Sequence, residues 1–330
     1  MRLSELLGYS KIVIQCHDNP DPDAIASGYA LYCYFRSMNK DVRLIYSGRY
    51  PITKPNIVLM IEELDIPIEL VQTMKVDGLL ITVDSQYGGG NIRKFECTDY
   101  AIIDHHEQEV RRIEKQDIRT NMASASTIVW DLLRQEGIDV NSNKLVSTAL
   151  YYGLFTDSNS FAEINEELDK EMRDSLLYDK YLINKLKTSI ITLRELEIAG
   201  MALIRNSYNA TNKYVLVKAQ ECDPNILGVI SDFALQVDSV NVSIAYNETQ
   251  EGIRYSIRSC VSEIKANEIA SFLADGLGNG GGQQGRAAGF INRKQYNKRY
   301  SHQNSDEFFL RKLTKYYEQL EDSHNSMELI

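Results

Sequence analysis

The sequence predicts an α/β fold in which a mainly parallel sheet domain is joined by a helical connector to a smaller α/β domain. In the first half of the chain, apolar β-branched runs alternate with helical patterns, which is typical of βαβ units and a parallel sheet. The pattern restarts in the last third, and 330 residues exceed the usual size of one core. We therefore predict domains over residues 1–190 and 211–330, with the connector at 191–210.

The first domain is expected to contain parallel strands separated by helices. The predicted strands cover residues 11–16, 42–46, 78–83 and 100–103. The first two helical patterns cover residues 24–38 and 57–63. Asp23 precedes the first of these helices and is predicted to be its N-cap.

After the sheet the sequence becomes helical. Amphipathic patterns cover residues 125–134 and 145–155 and continue over much of 165–205. Asp157 is predicted to lie in a polar loop that follows the second of these helices. In the second domain we expect strands at 214–217, 240–246 and 254–258, and helices at 224–235, 264–273 and 306–319. A glycine-rich loop covers residues 276–289.

Composition excludes several classes of protein. The net charge of −10 argues against a protein that binds long duplex nucleic acid, but not against small phosphorylated substrates. No apolar run approaches the roughly 18 residues that span a bilayer, so we expect no membrane partner. The five cysteines are scattered without CxxC spacing, which favours a reducing compartment, and we predict a cytoplasmic protein.

Polar side chains cluster at the carboxyl ends of the predicted strands and at one helix end. These residues are His17, Asp21, Asp23, Asp84, Asp104, His105, His106 and Asp157. Because ligands bind at the carboxyl edge of open parallel sheets, we expect them to lie together. A hydrogen-bonded turn is the alternative for residues 104–106 taken alone. Imidazoles and carboxylates without thiolates suit Mn²⁺, Mg²⁺ or Fe²⁺ better than structural zinc.

The number of donors indicates two metal ions. Six or seven ligands exceed the need of one ion with open positions, whereas two ions that share a bridging carboxylate use them naturally. Such a pair can bind both the attacking and the leaving oxygens of a phosphoryl displacement. Without metal, the crowded carboxylates would repel each other and hold protons. The pattern therefore predicts a two-metal hydrolytic site.

Four motifs in the first domain resemble, in order, the amino-terminal motifs of the DHH phosphoesterases. They are His17-x3-Asp21-x-Asp23-Ala24, Val83-Asp84, Asp104-His105-His106 and Gly153-x2-Thr156-Asp157. The second half resembles the DHHA1 domain of the same family. There the matching segments are Arg254-x-Ser256-x-Arg258-Ser259 and the glycine-rich stretch from Gly280 to Gly289.

The resemblance implies a role for each residue of the cluster. One metal would be held by His17, Asp21 and Asp84, and the other by Asp23, Asp84, His105 and Asp157, with Asp84 bridging. His106 would contact the scissile phosphate as a donor or general acid, and Asp104 would orient the histidines. Mn²⁺ is the expected ion, with Mg²⁺ and Fe²⁺ left open.

The resemblance also implies a substrate site in the second domain, with one departure from the family. The implied residues are Arg258, Ser259, Gly280, Gly281, Gly282, Gln283, Gln284 and Arg286. The family loop usually has a histidine after its glycines, whereas either alignment places Gln283 or Gln284 there. Glutamine donates hydrogen bonds but holds no charge, so this departure concerns the substrate. Arg286 could replace the charge or simply meet solvent.

The expected function is hydrolysis of short 5′-phosphorylated oligonucleotides, such as nanoRNA and linear dinucleotides, to mononucleotides. 3′,5′-Bisphosphorylated adenosine belongs to the same substrate class. The alternatives are a pyrophosphatase or polyphosphatase, a non-catalytic nucleotide-binding sensor, and a metal-stabilised structural protein. The terminal helix can pack on its own domain or on a second copy, so a homodimer is also left open.

Overall fold

The computed structural model describes residues 1–327, with side chains described as far as Asp322. The chain divides into two compact units, the first from Met1 to Ile191 and the second from Thr192 onward. Each unit has its own six-stranded sheet. The predicted fold class, a mainly parallel sheet followed by a second mixed α/β sheet, is confirmed.

The first unit contains a fully parallel sheet with the strand order β3-β2-β1-β4-β5-β6. The strands are β1 (Lys11–Gln15), β2 (Asp41–Tyr46), β3 (Ile68–Leu70), β4 (Lys75–Val83), β5 (Glu96–Asp104) and β6 (Gln116–Ile118). The short outer strands β3 and β6 were not predicted. Helices cover both faces of such sheets, which explains why the inner strands are apolar along most of their length.

The strand order reverses between β1 and β4, and this reversal positions the candidate site. Connections to either side of such a point leave on opposite faces of the sheet, which opens a crevice at the carboxyl ends of the two strands. The chain leaves β1 toward His17 and leaves β4 at Asp84. The polar residues that follow the two strands therefore begin at the same edge.

The helices of the first unit differ from prediction in two details that affect the site. They are α1 (Pro22–Ser37), α2 (Pro55–Glu63), α3 (Ala125–Gln135), α4 (Lys144–Asp157), α5 (Glu167–Ser175) and α6 (Lys180–Thr188). Asp23 is not the N-cap of α1, because Asp21 is the N-cap and Pro22 takes the first helical position. Asp157 lies in the last turn of α4, not in the polar loop that we predicted.

The second unit contains a mixed sheet with the order β11-β12-β10-β9-β8-β7, in which β8 and β9 are parallel. Its elements are α7 (Leu193–Ile204), β7 (Asn206–Asn209), β8 (Tyr214–Ala219), α8 (Pro224–Ala234), β9 (Val242–Glu248), β10 (Gly252–Ser259), α9 (Ala266–Ala274), β11 (Gly278–Gly282), β12 (Arg286–Asn292), α10 (Arg293–Arg299) and α11 (Ser305–Met327). Helix α7 occupies the predicted connector, yet Ile198 and Ala202 are buried in the core of this unit. Within residues 1–327, none of the helices is both long and apolar enough to cross a membrane.

Part of the glycine-rich segment is a strand, whereas the sequence predicted a loop. Residues 278–282 form β11 and pair with β12 at the edge of the sheet. Gly280 and Gly289 face the Tyr255 hydroxyl, which donates to the Ala270 carbonyl over 2.7 Å. A Cβ on Gly280 would lie 2.6 Å from that hydroxyl oxygen. These two glycines are therefore needed for packing, irrespective of any substrate.

Candidate metal centre

The structure brings the eight predicted residues of the first unit together at the carboxyl edge of its sheet. Their ligand atoms form overlapping groups, within each of which all ligand atoms lie within 4.8 Å of one another. The groups are His17, Asp21 and Asp84; Asp23, His105 and Asp157; and Asp84, His105 and His106. The remaining residue, Asp104, accepts a hydrogen bond from His106.

Asp84 lies at the centre of these groups. It is buried, and its backbone has a φ of +54°, a left-handed conformation that is uncommon outside glycine. Its amide still donates to the Ile103 carbonyl over 2.9 Å, so the turn occurs immediately after the strand pairing ends. Its Oδ2 lies 3.6 Å from His17 Nε2, and its Oδ1 lies 3.3 Å from His105 Nε2. The two oxygens of one carboxylate thus face two different histidines.

Asp21 divides its two oxygens between the helix and the site. Its Oδ1 accepts from the amides of Asp23 and Ala24, both at 3.0 Å, and thereby caps α1. Its Oδ2 lies 3.9 Å from His17 Nε2. Burial acts to raise the pKa of Asp21, but the neighbouring His17 and the hydrogen bond from the Ala24 amide lower it to about 2. Asp21 is therefore an anion that is held in place by the helix it caps.

Asp23 is held by the amino terminus of helix α3. Its Oδ2 accepts from the Ala125 amide at 2.7 Å, and its Oδ1 accepts from the Ser126 amide at 2.9 Å. Burial, with a contribution from the charge of Asp157, raises the pKa of Asp23 to about 7. Gly153 of α4 passes so close that a Cβ there would lie 3.0 Å from Asp23 Oδ1. The glycine of the fourth motif therefore allows α4 to bring Asp157 to the site.

The tautomer of His105 is set by a backbone carbonyl. Its Nδ1 lies 3.2 Å from the Met122 oxygen, which can only accept, so we assign the proton to Nδ1. The other ring nitrogen, Nε2, then faces Asp84 and also Asp157, whose Oδ2 lies 3.1 Å away. Metal-binding histidines usually donate a hydrogen bond from their other ring nitrogen to such a partner. Nε2 of His105 is thus the ring nitrogen that a metal ion at this site could bind.

Asp104 and His106 form a pair beside the cluster. Asp104 Oδ1 accepts from His106 Nδ1 and from the His105 amide, both at 2.9 Å. The hydrogen bond from Asp104 raises the pKa of His106, which favours its cationic form. Asp104 is almost fully buried, whereas 55% of the His106 side chain is exposed. The exposed imidazole is the part of this pair that a ligand can reach.

Two buried atoms show that the donor set fits a metal ion. Asp84 Oδ1 and His105 Nε2 have no hydrogen-bond partner in the described part of the chain. Leaving such atoms unsatisfied costs about 1–3 kcal/mol each. Burial raises the pKa of Asp84 well above its usual range, and the charge of Asp21 adds to this effect. A divalent cation would be bound by both atoms and would offset the crowding of carboxylates.

The predicted substrate residues of the second unit lie around one end of strand β10. The backbone register places Arg286 of β12 directly opposite Arg258. Arg258 Nε donates to Asp232 over 2.7 Å, and its Nη1 donates to the Ser256 hydroxyl over 2.9 Å. The pairing of two arginines across the strands is unfavourable unless an anion lies nearby. Asp232 provides one such anion.

The other predicted substrate residues have more local roles in the structure. The Ser259 hydroxyl donates to the carbonyls of Val261 and Ile264. Gln283 and Gln284 are exposed at the tip of the β11–β12 hairpin, and the Gln284 carbonyl accepts from the Ala266 amide. Among the three consecutive glycines, Gly281 has open space at its Cβ position, whereas Gly280 and Gly282 face nearby atoms. A ligand could approach the backbone most easily at Gly281.

Sequence reasoning missed one residue that contacts the centre. Gln86 follows Asp84 by two positions and is buried, and its Nε2 donates to Asp104 Oδ2 over 2.8 Å. No local signal distinguishes it, because a glutamine after a strand is ordinarily exposed. The contact depends on the pairing of β4 with β5, which brings the ends of the two strands together.

The fold and the site define an α/β protein with a metal-competent carboxylate–imidazole centre at the reversal point of a parallel sheet. Residues 11–154 match the family model described as the DHH family, N-terminal domain. This match to the first unit bears out the resemblance that its motifs predicted. The probable manganese-dependent inorganic pyrophosphatases among the curated relatives of this chain belong to the class of metal-dependent phosphoesterases that the resemblance implies.

Curated relatives share about a quarter of their residues with this chain. A probable manganese-dependent inorganic pyrophosphatase of Streptococcus pyogenes is 25% identical over 282 residues, which cover 81% of this chain and 83% of that protein. An uncharacterized protein of Methanocaldococcus jannaschii is 24% identical over 280 residues, which cover 84% of this chain. The chain spans 57% of the length of that second relative.

A solved structure shares the fold over nearly the whole length. It is an exopolyphosphatase-related protein from Bacteroides fragilis, with a TM-score of 0.73 and 20% sequence identity. The match covers 97% of this chain and 96% of that one. At this identity the likeness concerns the fold and leaves the substrate of this chain open.

Proposed function

We propose that this chain uses two divalent metal ions to hydrolyse short 5′-phosphorylated oligonucleotides to mononucleotides. The observation that supports this most directly is the position of Asp84. One of its carboxylate oxygens faces His17, which belongs to one group of ligands, and the other faces His105, which belongs to another. A carboxylate shared in this way is what two neighbouring ions require. The proposal extends to 3′,5′-bisphosphorylated adenosine, which presents similar phosphates.

The proposed ligand sets follow the two groups. His17, Asp21 and Asp84 would hold one ion, and Asp23, Asp84, His105 and Asp157 would hold the other. We propose Mn²⁺ as the ion, which is supported by the carboxylate–imidazole donor set and by the manganese dependence named for the Streptococcus pyogenes relative. Two bound ions would polarise the phosphate and make a water nucleophilic at neutral pH.

His106 is the proposed proton donor of the reaction. Its Nδ1 is bound to Asp104 Oδ1, so Nε2 is the ring nitrogen that remains for a substrate oxygen. Asp104 favours the imidazolium, which can donate to a phosphate oxygen or to the leaving group. The same hydrogen bond fixes the ring orientation. Catalysis by His106 therefore depends on Asp104, although Asp104 itself need not contact the substrate.

Arg258 and Arg286 are the proposed contacts for the 5′-phosphate. They lie opposite each other in the register of β10 and β12, so one phosphate could bind both. Arg258 is now paired with Asp232, and a phosphate would compete with that carboxylate. The open approach to Gly281 and the exposed amides of Gln283 and Gln284 would add neutral donors. Uncharged glutamine in place of histidine should make this binding less sensitive to pH.

Inorganic pyrophosphate is the second candidate substrate. It is favoured by the 25% identity to probable manganese-dependent inorganic pyrophosphatases. The metal centre alone does not distinguish the two substrates, because in both a water attacks a phosphorus atom and displaces an oxygen leaving group. The arginines of the second unit do distinguish them, since a nucleotide has a terminal phosphate distant from the bond that is cleaved.

Product analysis tests the proposal. The protein is incubated with Mn²⁺ and a 5′-phosphorylated diribonucleotide, a longer single strand, 3′,5′-bisphosphorylated adenosine, a cyclic dinucleotide or pyrophosphate. We expect fast release of mononucleotides from the diribonucleotide and loss of this release in Asp84→Asn. Turnover of pyrophosphate alone would instead support the second candidate function, that of a pyrophosphatase. Nucleotide binding without any turnover would instead indicate a sensor.

A further inference from the structure

Gln86 is a buried residue whose side chain uses its full hydrogen-bonding capacity. Its Nε2 donates to Asp104 Oδ2 and to the Glu107 carbonyl, both at 2.8 Å. Its Oε1 accepts from the amides of Glu109 at 2.8 Å and Val110 at 3.2 Å. A carboxamide offers two donor hydrogens and two acceptor lone pairs, and all four are used here. Such a side chain has one orientation only.

The two ends of Gln86 act on different parts of the centre. Through Nε2 it binds the oxygen of Asp104 that His106 does not use, so both carboxylate oxygens are engaged and the carboxylate cannot rotate. Through Oε1 it holds the backbone that leaves the histidine pair, at residues 109 and 110. His106 is therefore fixed from its side chain and from the chain segment that follows it.

We propose that Gln86 is a positioning residue that sets the orientation of His106, through Asp104 and through the tether to residues 107–110. This inference rests on the proposed function where it concerns kinetics, because His106 is the proposed proton donor. In this role, Gln86 connects the turn at Asp84 to the segment that contains Asp104 and His106. A small displacement of a catalytic group can lower the rate by about 10²-fold.

Gln15 is a suitable control for a buried glutamine whose role is purely structural. This residue of β1 is also buried, and its Nε2 donates to the Arg93 carbonyl over 2.8 Å. Its contact does not involve the Asp104–His106 pair. If buried glutamines matter here only for stability, Gln15→Met and Gln86→Met should have similar consequences. If Gln86 positions His106, the two variants should differ in kcat.

The experiment compares Gln86→Met, Gln86→Glu and Gln15→Met. Hydrogen exchange of the Glu109 and Val110 amides is measured in the metal-free proteins, followed by kcat and KM with Mn²⁺ and the substrate found by product analysis. Gln86→Met should speed exchange of both amides and lower kcat by about 10–100-fold with little change in KM. Gln86→Glu keeps the acceptor but loses the amide donor to Asp104, so it should retain protection and still lose kcat. Gln15→Met should change neither.

Two results would overturn the proposal. One is a folded Gln86→Met protein with unchanged exchange at Glu109 and Val110, and the other is unchanged kcat in both Gln86 variants. If the wild-type protein hydrolyses nothing, the proposed function fails by itself. In that case, the inference about Gln86 is tested by observing the His106 Nδ1 proton by nuclear magnetic resonance. That signal should persist in the wild type and in Gln15→Met and should broaden in Gln86→Glu, and an unchanged signal would contradict the proposal.

Discussion

Asp84 Oδ1 lies 3.3 Å from His105 Nε2, and neither buried atom has a hydrogen-bond partner among the described residues. Close approach without a hydrogen bond is what two ligands of one ion show. The orientation of the His105 ring agrees, since Nδ1 donates to the Met122 carbonyl and Nε2 is the ring nitrogen that faces the site. The left-handed backbone of Asp84 indicates that local strain is accepted to place this carboxylate.

Asp84→Asn should weaken Mn²⁺ binding in both ligand groups and lower kcat by more than about 10³-fold, because a neutral amide cannot bridge two cations. Metal binding is measured by isothermal titration calorimetry. The matched control is Asp77→Asn on the same strand, where 89% of the side chain is exposed and pairs with Lys11. Unchanged metal binding in Asp84→Asn would show that this carboxylate is not shared.

The two adjacent histidines should respond differently to substitution. His106→Gln should lower kcat by about 10²–10³-fold and leave Mn²⁺ affinity nearly intact, because His106 is the proposed proton donor. His105→Gln should weaken Mn²⁺ binding, because its Nε2 faces the carboxylates of both Asp84 and Asp157. Parallel kinetic and calorimetric titrations separate these effects. Equal loss of metal by both variants would place His106 among the ligands.

Arg258→Gln and Arg286→Gln should each raise KM for the 5′-phosphorylated diribonucleotide by about 10-fold or more and leave kcat little changed. Asp232→Asn should lower that KM, because Asp232 holds Arg258 over 2.7 Å in the absence of substrate. Lys265→Gln is the control, since this exposed cation pairs with Glu268. The differences in KM between these variants should disappear when the substrate lacks its 5′-phosphate. If the differences persist, Arg258 and Arg286 do not bind that phosphate.

Glu248 should make the stability of the second unit depend on acid pH. Burial acts to raise the pKa of its carboxyl, but hydrogen bonds from Lys218, Ser305 and Arg293 lower it to about 2. A depressed folded-state pKa stabilises the folded state above the unfolded value of about 4.3, and this stabilisation is lost as the pH falls toward 2. Glu248→Gln should therefore cost about 2 kcal/mol at pH 7 and progressively less below pH 4.5. Urea unfolding across this range measures the difference, and a constant difference would contradict the linkage.

The strand ends of the first unit could be predicted because the relevant signals are local. Apolar runs ending at Val83 and Ile103 mark where the strands stop, and parallel pairing brings their ends together. The N-cap was misassigned to Asp23, because both aspartates flank Pro22 and both are good caps. The preference of proline for the first helical position favours Asp21, and the structure agrees.

What the sequence could not predict depends on pairing between distant segments. Glycine has little intrinsic preference for strands, so residues 278–282 gave no strand signal until their pairing with β12 was visible. The ion pair between Arg258 and Asp232 joins a strand to a helix far along the chain. The role of Gln86 likewise depends on a contact with Asp104 across two strands.

The central claim is that two ions share Asp84, and electron paramagnetic resonance of the Mn²⁺-loaded protein tests it most directly. Two ions bridged by one carboxylate at about 3.5–4 Å should be exchange-coupled. We expect two Mn²⁺ per chain, with a coupled spectrum that is lost in Asp84→Asn and retained in Asp77→Asn. A single uncoupled ion in the wild-type protein, or a coupled pair that persists without the Asp84 carboxylate, would contradict the account.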